Sequence, residues 1–257
     1  MKRLIIVIIS ILLVSTFTIG VFANESESMS WYIKRNGNKR PALDEKQKII
    51  YQNNGYYIDE SLNDNSKERR IYLTFDLGYA NGNTEKIIDV LKKHNVKAAF
   101  FILDNIIIKN TDLVTRMINE GHTVCNHSKN HKNLSDKSKE EIKEDLEALE
   151  ALMEERTGYQ LSKYFRFPEG KYSQSSLKAV SDLGYKTIFW SFAYEDWDNN
   201  HQPSPEKAFN KIISNTHNGA VMLFHPTSAT NAKIFDSLLT KWKEMGYTFS
   251  SLDELSK

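Results

Sequence analysis

Residues 71–78 read IYLTFDLG, an apolar and β-branched run that ends abruptly in a carboxylate, Asp76, with a glycine close behind. The run from Ile71 to Phe75 has the composition of a buried β-strand. The residues that follow predict a helix from Thr84 to His94, because their apolar positions recur with helical spacing. A strand that leads into a helix is the repeating unit of α/β folds.

The same alternation continues along the rest of the chain. Apolar runs predict seven strands, at residues 71–75, 97–103, 122–126, 164–167, 186–191, 220–225 and 247–249, with helical patterns between them. These strands are apolar throughout instead of alternating in polarity, which is typical of a parallel sheet covered by helices. Strand count alone fits both a closed (β/α) barrel and an open doubly wound sheet.

Unusual polar residues stand where the predicted strands end. They are Asp76 after the first strand, His127 and His131 after the third, Arg166 at the end of the fourth, Asp196 after the fifth and His225 at the end of the sixth. In a barrel the carboxyl ends of all strands share one rim, whereas an open sheet gathers such residues mainly near its switch point. The sequence therefore predicts an α/β fold, a distorted (β/α) TIM-like barrel of seven to eight strands.

Taken singly, these residues have ordinary interpretations. His127 and His131 enclose three residues, HSKNH, and two imidazoles on one turn can bind a single cation such as zinc, but two solvated loop histidines give the same pattern. Asp76 alone fits a turn, and Arg166 fits a salt bridge at the barrel mouth or a partner that orients Asp76. His225 alone fits a hydrogen-bonded core histidine.

Taken in order, the five clusters resemble the five motifs of the polysaccharide deacetylases, the NodB-homology group that is also called carbohydrate esterase family 4. The resemblance covers roughly residues 70–253. It implies that Asp76 is the general base, oriented by Arg166, and that His225 is the general acid, with Asp196 as its carboxylate. It further implies two metal ligands, His127 and His131, and four substrate-binding residues, Trp197, Leu223, Phe167 and Pro168.

These roles suit the hydrolysis of a linear amide. A divalent cation, here zinc, manganese or cobalt, polarises the acetyl carbonyl and lowers the pKa of water. Asp76 is placed to take the proton of that water, and a His225 imidazolium held by Asp196 is placed to protonate the departing amine. The sequence therefore predicts a metal-assisted hydrolase.

One position departs from the family pattern. The family usually has a second carboxylate directly after the base, as the third metal ligand, and this chain has Leu77 there. Leucine cannot coordinate a cation, so we expect weak metal binding with the shell completed by water or substrate. An inactive, glycan-binding descendant is the alternative, but the retention of Asp76, Arg166, Asp196 and His225 favours activity.

Three further segments resemble one branch of the family, the spore-cortex N-acetylmuramic acid deacetylases, or delta-lactam-biosynthetic de-N-acetylases. The segments are GYANG at 78–82, WYIKR at 31–35 and AYEDW at 193–197. The resemblance implies that the substrate is muramic acid in peptidoglycan strands stripped of peptide, and the product muramic delta-lactam in spore cortex. Alternatives are an N-acetylglucosamine deacetylase of peptidoglycan or chitin-like oligomers and, more remotely, an O-acetyl xylan esterase.

The amino-terminal residues predict export. A basic start, Met1-Lys2-Arg3, leads into an apolar run from Leu4 to Val21, which is the pattern of a secretory signal with cleavage after Ala23. An uncleaved membrane helix is the alternative. Residues 1–23 are thus predicted to be a signal peptide, 24–69 an extension that packs on the barrel with aromatics bordering the glycan groove, and 70–257 the deacetylase domain.

Composition narrows the cellular setting. We expect a secreted protein of the cell wall or spore intermembrane space, monomeric and without stable membrane insertion after cleavage. A formal net charge of +1 gives no reason to expect a nucleic-acid partner. The single cysteine, Cys125, cannot form an internal disulfide, and its apolar neighbours predict a core residue.

Overall fold

The computed structural model describes residues 26–256, so the predicted signal peptide, residues 1–23, lies outside the described part. The strands are β1 Met29–Ser30, β2 Gly55–Tyr56, β3 Arg70–Leu77, β4 Ala99–Ile102, β5 Thr123–Asn126, β6 Ser162–Phe165, β7 Lys171–Tyr172, β8 Lys186–Ile188, β9 Ala220–Phe224 and β10 Thr248–Phe249. The helices are α1 Asn83–Lys93, α2 Asp104–Lys109, α3 Thr111–Asn119, α4 Lys139–Thr157, α5 Gln174–Asp182, α6 Pro205–Ser214, α7 Ala229–Glu244 and α8 Leu252–Leu255, with 3₁₀ helices at Glu45–Asn53 and Pro168–Gly170.

Eight of the strands form one curled parallel sheet around β3. The neighbours run β10, β3, β4, β5, β6, β8, β2, and β9 pairs with the other side of β3. The backbone just after β8 closes the curl onto β9, since the amides of Ser191 and Phe192 donate to the carbonyl of Val221 at 3.0 and 3.2 Å. The predicted α/β class and distorted parallel barrel are confirmed.

Alternate strand residues face opposite sides of the sheet, which explains its two apolar layers. Tyr72 and Phe101 lie in a cluster inside the curl that also contains Cys125, which is fully buried as its apolar neighbours predicted. Phe75 and Phe100 face outward and stack at 5.0 Å beneath the helices. With both faces filled, polar side chains are left to the strand ends, where the candidate site lies.

The long helix α4 begins and ends where its sequence indicates. Ser138 Oγ accepts a hydrogen bond from the backbone of Glu141 at 3.2 Å, and the Glu141 carboxylate accepts one from the backbone of Ser138 at 2.9 Å. This reciprocal capping box contributes about 1 kcal/mol. Gly158, with φ of +73°, ends the helix in the left-handed conformation.

The amino-terminal segment contributes more than its polar composition suggested. Residues 55–56 form β2 and pair in parallel with β8, so part of the segment belongs to the sheet itself. Trp31 is buried, stacks on Phe189 at 4.3 Å and donates from Nε1 to the Trp190 carbonyl at 2.9 Å. Trp31 therefore stabilises the core instead of facing a glycan, while Tyr32 is exposed.

Within residues 26–256, no helix combines the length and the apolar character needed to cross a bilayer.

Candidate active site

Adjacent strands bring the predicted base and acid to one rim. Phe75 of β3 pairs with Phe224 of β9, so the residues that follow them, Asp76 within β3 and His225 just after β9, lie side by side at the carboxyl end of the sheet. The charge of His225 helps to lower the pKa of Asp76, and the charge of Asp76 helps to raise the pKa of His225. The two residues are 149 positions apart in sequence, and it is the register of β3 against β9 that brings them together.

Arg166 holds Asp76 in place. Its Nη1 donates to Asp76 Oδ1 at 2.7 Å, while Nε donates to the Ile188 carbonyl and Nη2 to Thr74 Oγ1, each at 2.9 Å. The guanidinium is fully buried and lies 4.2 Å from the ring centroid of Phe101. A planar fork with all its arms engaged fixes the carboxylate in one orientation.

Burial alone would raise the pKa of Asp76, but the positive charge of Arg166, with smaller effects from His127 and His225, holds that pKa below its usual range. Asp76 is therefore ionised at neutral pH and can accept a proton. The hydrogen bond from Arg166 to Asp76 agrees with the interpretation of Arg166 as the residue that orients the base.

His127 presents one free nitrogen to the same carboxylate. Its Nδ1 donates to the Arg166 carbonyl at 2.8 Å, which leaves the lone pair of Nε2 facing Asp76 Oδ2 at 3.5 Å. Burial lowers the pKa of His127 to about 4, so the ring is neutral near pH 7. A neutral imidazole with its second nitrogen anchored on a carbonyl is the usual form of a metal ligand.

A short loop turns His131 toward His127. The two ring centroids lie 5.0 Å apart, and His131 has a left-handed backbone with φ of +60°. Ser128 Oγ accepts from the His131 backbone at 3.0 Å, Asn126 Oδ1 accepts from the Ser128 backbone at 2.9 Å, and Asp145 accepts from Lys129 at 2.8 Å. These bonds hold the two imidazoles on one side of the loop.

The donor set is short of a complete metal site. In the part of the chain that the structure describes, no three His, Cys, Asp or Glu side chains are arranged to hold a metal ion. Leu77, at the position of the family's second carboxylate, is fully buried and belongs to the apolar cluster under the helices. His127 and His131 offer a divalent cation two imidazole nitrogens, and their assignment as metal ligands stays a prediction.

Asp196 holds His225 at two points. His225 Nδ1 donates to Asp196 Oδ1 and the His225 backbone donates to Asp196 Oδ2, both at 2.8 Å. Burial would lower the pKa of His225, but the charge and hydrogen bond of Asp196 outweigh it and raise the pKa above its ordinary value. His225 is thus favoured as an imidazolium, and its Nε2 makes no bond within residues 26–256.

The predicted substrate-binding residues differ in accessibility. Trp197 is 62% exposed beside the rim, Leu223 is 5% exposed on β9, and Pro168 is buried. Phe167 is fully buried, with its ring against Phe165 at 4.8 Å. The prediction that Phe167 contacts substrate is wrong for its side chain, because it points into the core beneath the helices.

Two polar residues of the site, Thr74 and Asn231, escaped the sequence interpretation. Thr74 accepts from Arg166, and Asn231 and Tyr194 lie behind Asp196. Thr74 falls inside an apolar strand and Asn231 in the first turn of a helix, positions where a polar residue is unremarkable. No local sequence signal marks either one.

Comparison with known proteins agrees with this geometry. The sequence profile "Polysaccharide deacetylase" matches residues 63–188, which include Asp76 through Arg166. The peptidoglycan-N-acetylmuramic acid deacetylase PdaA of Bacillus subtilis is 39% identical over 232 residues, 90% of this chain and 86% of the relative. The chain belongs to the polysaccharide deacetylase family. The predicted family and hydrolase class are thus confirmed.

Other polysaccharide deacetylases extend the likeness. The solved structure of Bacillus subtilis PdaA, described as a family 4 carbohydrate esterase, matches with a TM-score of 0.84 at 38% identity, covering 90% of this chain and 97% of that one. The peptidoglycan-N-acetylglucosamine deacetylase PgdA of Listeria monocytogenes is 35% identical over 73% of this chain and 39% of its own length. Family 4 deacetylases are in general metal-dependent, and those that modify peptidoglycan are extracytoplasmic.

Proposed function

We propose that this polysaccharide deacetylase removes the N-acetyl group of N-acetylmuramic acid residues in peptidoglycan. The observation that carries the proposal is the pairing at one rim of Asp76, held ionised by Arg166, with His225, held as an imidazolium by Asp196. A base and an acid fixed separately at adjacent strand ends suit hydrolysis of a bond placed between them. The relative PdaA, named for this activity, supports the choice of sugar.

The protein's own residues account for the proton movements. Asp76 takes the proton of the attacking water, and Arg166 keeps its carboxylate aimed while it does so. His225 then gives its Nε2 proton to the amine as the carbon–nitrogen bond breaks, and acetate leaves. A divalent cation, held by His127 and His131, would polarise the acetyl carbonyl and acidify water. Zinc, manganese or cobalt suits two imidazole donors with open positions.

The freed amine has a further reaction open to it. In muramic acid stripped of peptide, the lactyl carboxylate lies on the same sugar, so amine and carboxylate can close to a delta-lactam with loss of one water. Spore cortex is where we propose this product forms. Trp197 at the rim, with Leu223 and Pro168, is proposed to contact the sugar and its acetyl group.

The remaining features of the proposal concern setting. Residues 1–23 act as a signal peptide, 24–69 as an extension of the barrel and 70–257 as the deacetylase domain. The protein works outside the cytoplasm, in the cell wall or spore intermembrane space, as a monomer on peptide-stripped glycan strands.

Acetate release tests the proposal. Purified protein with zinc, manganese or cobalt should release acetate from peptide-free glycan strands, and mass spectrometry should place the loss on muramic acid. An Asp76→Asn variant, isosteric but unable to take a proton, is the matched control and should release none. Loss of acetyl groups from N-acetylglucosamine alone would favour the alternative, an N-acetylglucosamine deacetylase like PgdA.

Two further results would oppose the proposal. Glycan binding without any acetate release would identify an inactive descendant, as the replacement of a metal-ligand carboxylate by Leu77 allows. In a spore former that carries this gene, unchanged muramic lactam in the cortex of a deletion strain would exclude the lactam product.

A further inference from the structure

Asn231 contacts the carboxylate that holds His225, at the oxygen that the imidazole does not bind. It is fully buried in the first turn of α7, and its Nδ2 lies 2.6 Å from Asp196 Oδ2 and 3.2 Å from the His225 carbonyl. Asp196 is also fully buried. Its carboxylate thus accepts three hydrogen bonds, two from His225 and one from Asn231.

The surroundings fix the orientation of the Asn231 amide. Two acceptors, Asp196 Oδ2 and the His225 carbonyl, face one side of it, so the amide must present its NH₂ group there. Its oxygen consequently faces Tyr194, whose hydroxyl donates to Oδ1. Burial, and then the negative charge of Asp196, raise the pKa of Tyr194, which keeps that hydroxyl protonated. The Tyr194 hydroxyl therefore donates to Asn231, and Asn231 in turn donates to Asp196.

We propose that Asn231, itself held by Tyr194, is a positioning residue that fixes the Asp196 carboxylate against His225 and so sets the orientation and proton affinity of that imidazole. The assignment of His225 as the general acid rests on the proposed function, whereas the positioning of His225 does not. With three donors bound, the carboxylate cannot rotate and its basicity is reduced. The fixed orientation and the reduced basicity of the Asp196 carboxylate both act on the proton at Nε2 of His225 through the imidazole ring.

A helix cap is the competing explanation for Asn231, and the contacts separate the two. Ser228 Oγ caps α7 by accepting from the backbone N–H of Asn231 at 3.0 Å, a bond that any side chain at position 231 would keep. The amide group itself bonds only to Tyr194, Asp196 and His225 among the described residues. The hydrogen bonds of the Asn231 amide thus connect it to the Asp196–His225 pair and to Tyr194 behind that pair, and not to the end of helix α7.

The charged groups that face His225 come from three elements. They are Asp196 after β8, Asp76 at the end of β3 and Arg166 after β6. Asn231 touches only the first of them. A change at position 231 therefore acts on His225 through Asp196 and leaves the Asp76–Arg166 contact as it is.

The test is Asn231→Leu, which keeps similar volume and removes the donor. The Asp196 carboxylate becomes more basic, so the pKa of His225, followed by NMR of its imidazole in the purified chain, should rise by about half to one unit. The descending limb of kcat against pH should move upward by the same amount. We expect kcat to fall about tenfold while KM stays unchanged. A His225 titration that is unchanged, or shifted downward, would overturn the proposal.

Controls keep the result interpretable. Asn53→Leu removes another buried amide, whose side-chain hydrogen bond within residues 26–256 goes to the Ile49 carbonyl, and should lower stability without moving the His225 titration. If Asn231→Leu does not fold, Tyr194→Phe removes the donor behind the amide and should shift the titration in the same direction by less. No shift in Tyr194→Phe would then refute the inference. A wild-type chain without deacetylase activity would defeat the proposed function, and the NMR titration would still decide this one.

Discussion

Replacing Asp196 by asparagine is the sharpest perturbation of the acid. The carboxylate accepts from the His225 ring, the His225 backbone and the Asn231 amide. A carboxamide cannot accept at both ends, so in either orientation its NH₂ group meets a donor. The substitution keeps the shape of the side chain, removes its charge and breaks at least one of the hydrogen bonds that orient His225.

The magnitude follows from these contacts. A hydrogen bond to a charged partner contributes about 1.5 to 3 kcal/mol, and the bond at Nδ1 favours the imidazolium directly. Its loss should lower the pKa of His225 by roughly one to two units. Misorientation of the ring adds to this, and loss of the carboxylate in comparable histidine–carboxylate pairs reduces kcat by about 10⁴. We expect kcat of Asp196→Asn to fall by roughly 10² to 10⁴.

The assay is acetate release measured as kcat across pH. His225 must be protonated to act, so activity falls as pH rises through its pKa, and the lower pKa of the variant moves this limb to lower pH. Asp236→Asn is the matched control, because Asp236 Oδ1, on α7, lies 2.7 Å from Nε2 of His94, the residue that follows α1, in a pair away from the rim. Equal losses in the two variants, or a limb that stays in place, would refute the assigned role.

Three further outcomes are expected. His131→Ala should abolish zinc binding in a chelator competition, whereas His201→Ala, which removes an exposed histidine outside the site, should not; retained binding would contradict the two-imidazole assignment. Leu77→Asp should lower the free energy of unfolding without metal by about 3 kcal/mol, because it buries a carboxylate, and an unchanged urea midpoint would show that residue 77 can turn to the rim. Trp31→Ala should cost about 3 to 5 kcal/mol in the same assay and Tyr32→Ala under about 1, so similar midpoints would contradict the packing of Trp31 into the core.

Elements with strong local signals could be predicted from the sequence. The capping box of Ser138 and Glu141 and the stop at Gly158 marked α4, and the apolar runs marked the main strands within a few residues. By contrast, β2 is only two residues long and owes its conformation to pairing with β8. Helix α2 was missed because it is only six residues long and its apolar residues are three consecutive isoleucines, which show no helical spacing.

The site shows the same division between local and tertiary information. Asp76, Arg166 and His225 were predictable because each is a charged or titratable residue at the end of an apolar strand. Asn231 was not, since an amide three residues after Ser228 is ordinary at a helix start and its partner lies 35 residues away. Phe167 was misassigned because adjacency to Arg166 in sequence does not tell where the next side chain points, and after the end of β6 the Phe167 ring turns against Phe165.

The most direct test of the site is anomalous diffraction at the zinc edge from crystals soaked in zinc. We predict one strong peak about 2.0 to 2.1 Å from a ring nitrogen of both His127 and His131, beside Asp76 and on the side of the rim that His225 faces. A zinc peak bound elsewhere, with none between these two imidazoles, would contradict the account that these strand ends form one metal-assisted hydrolytic centre.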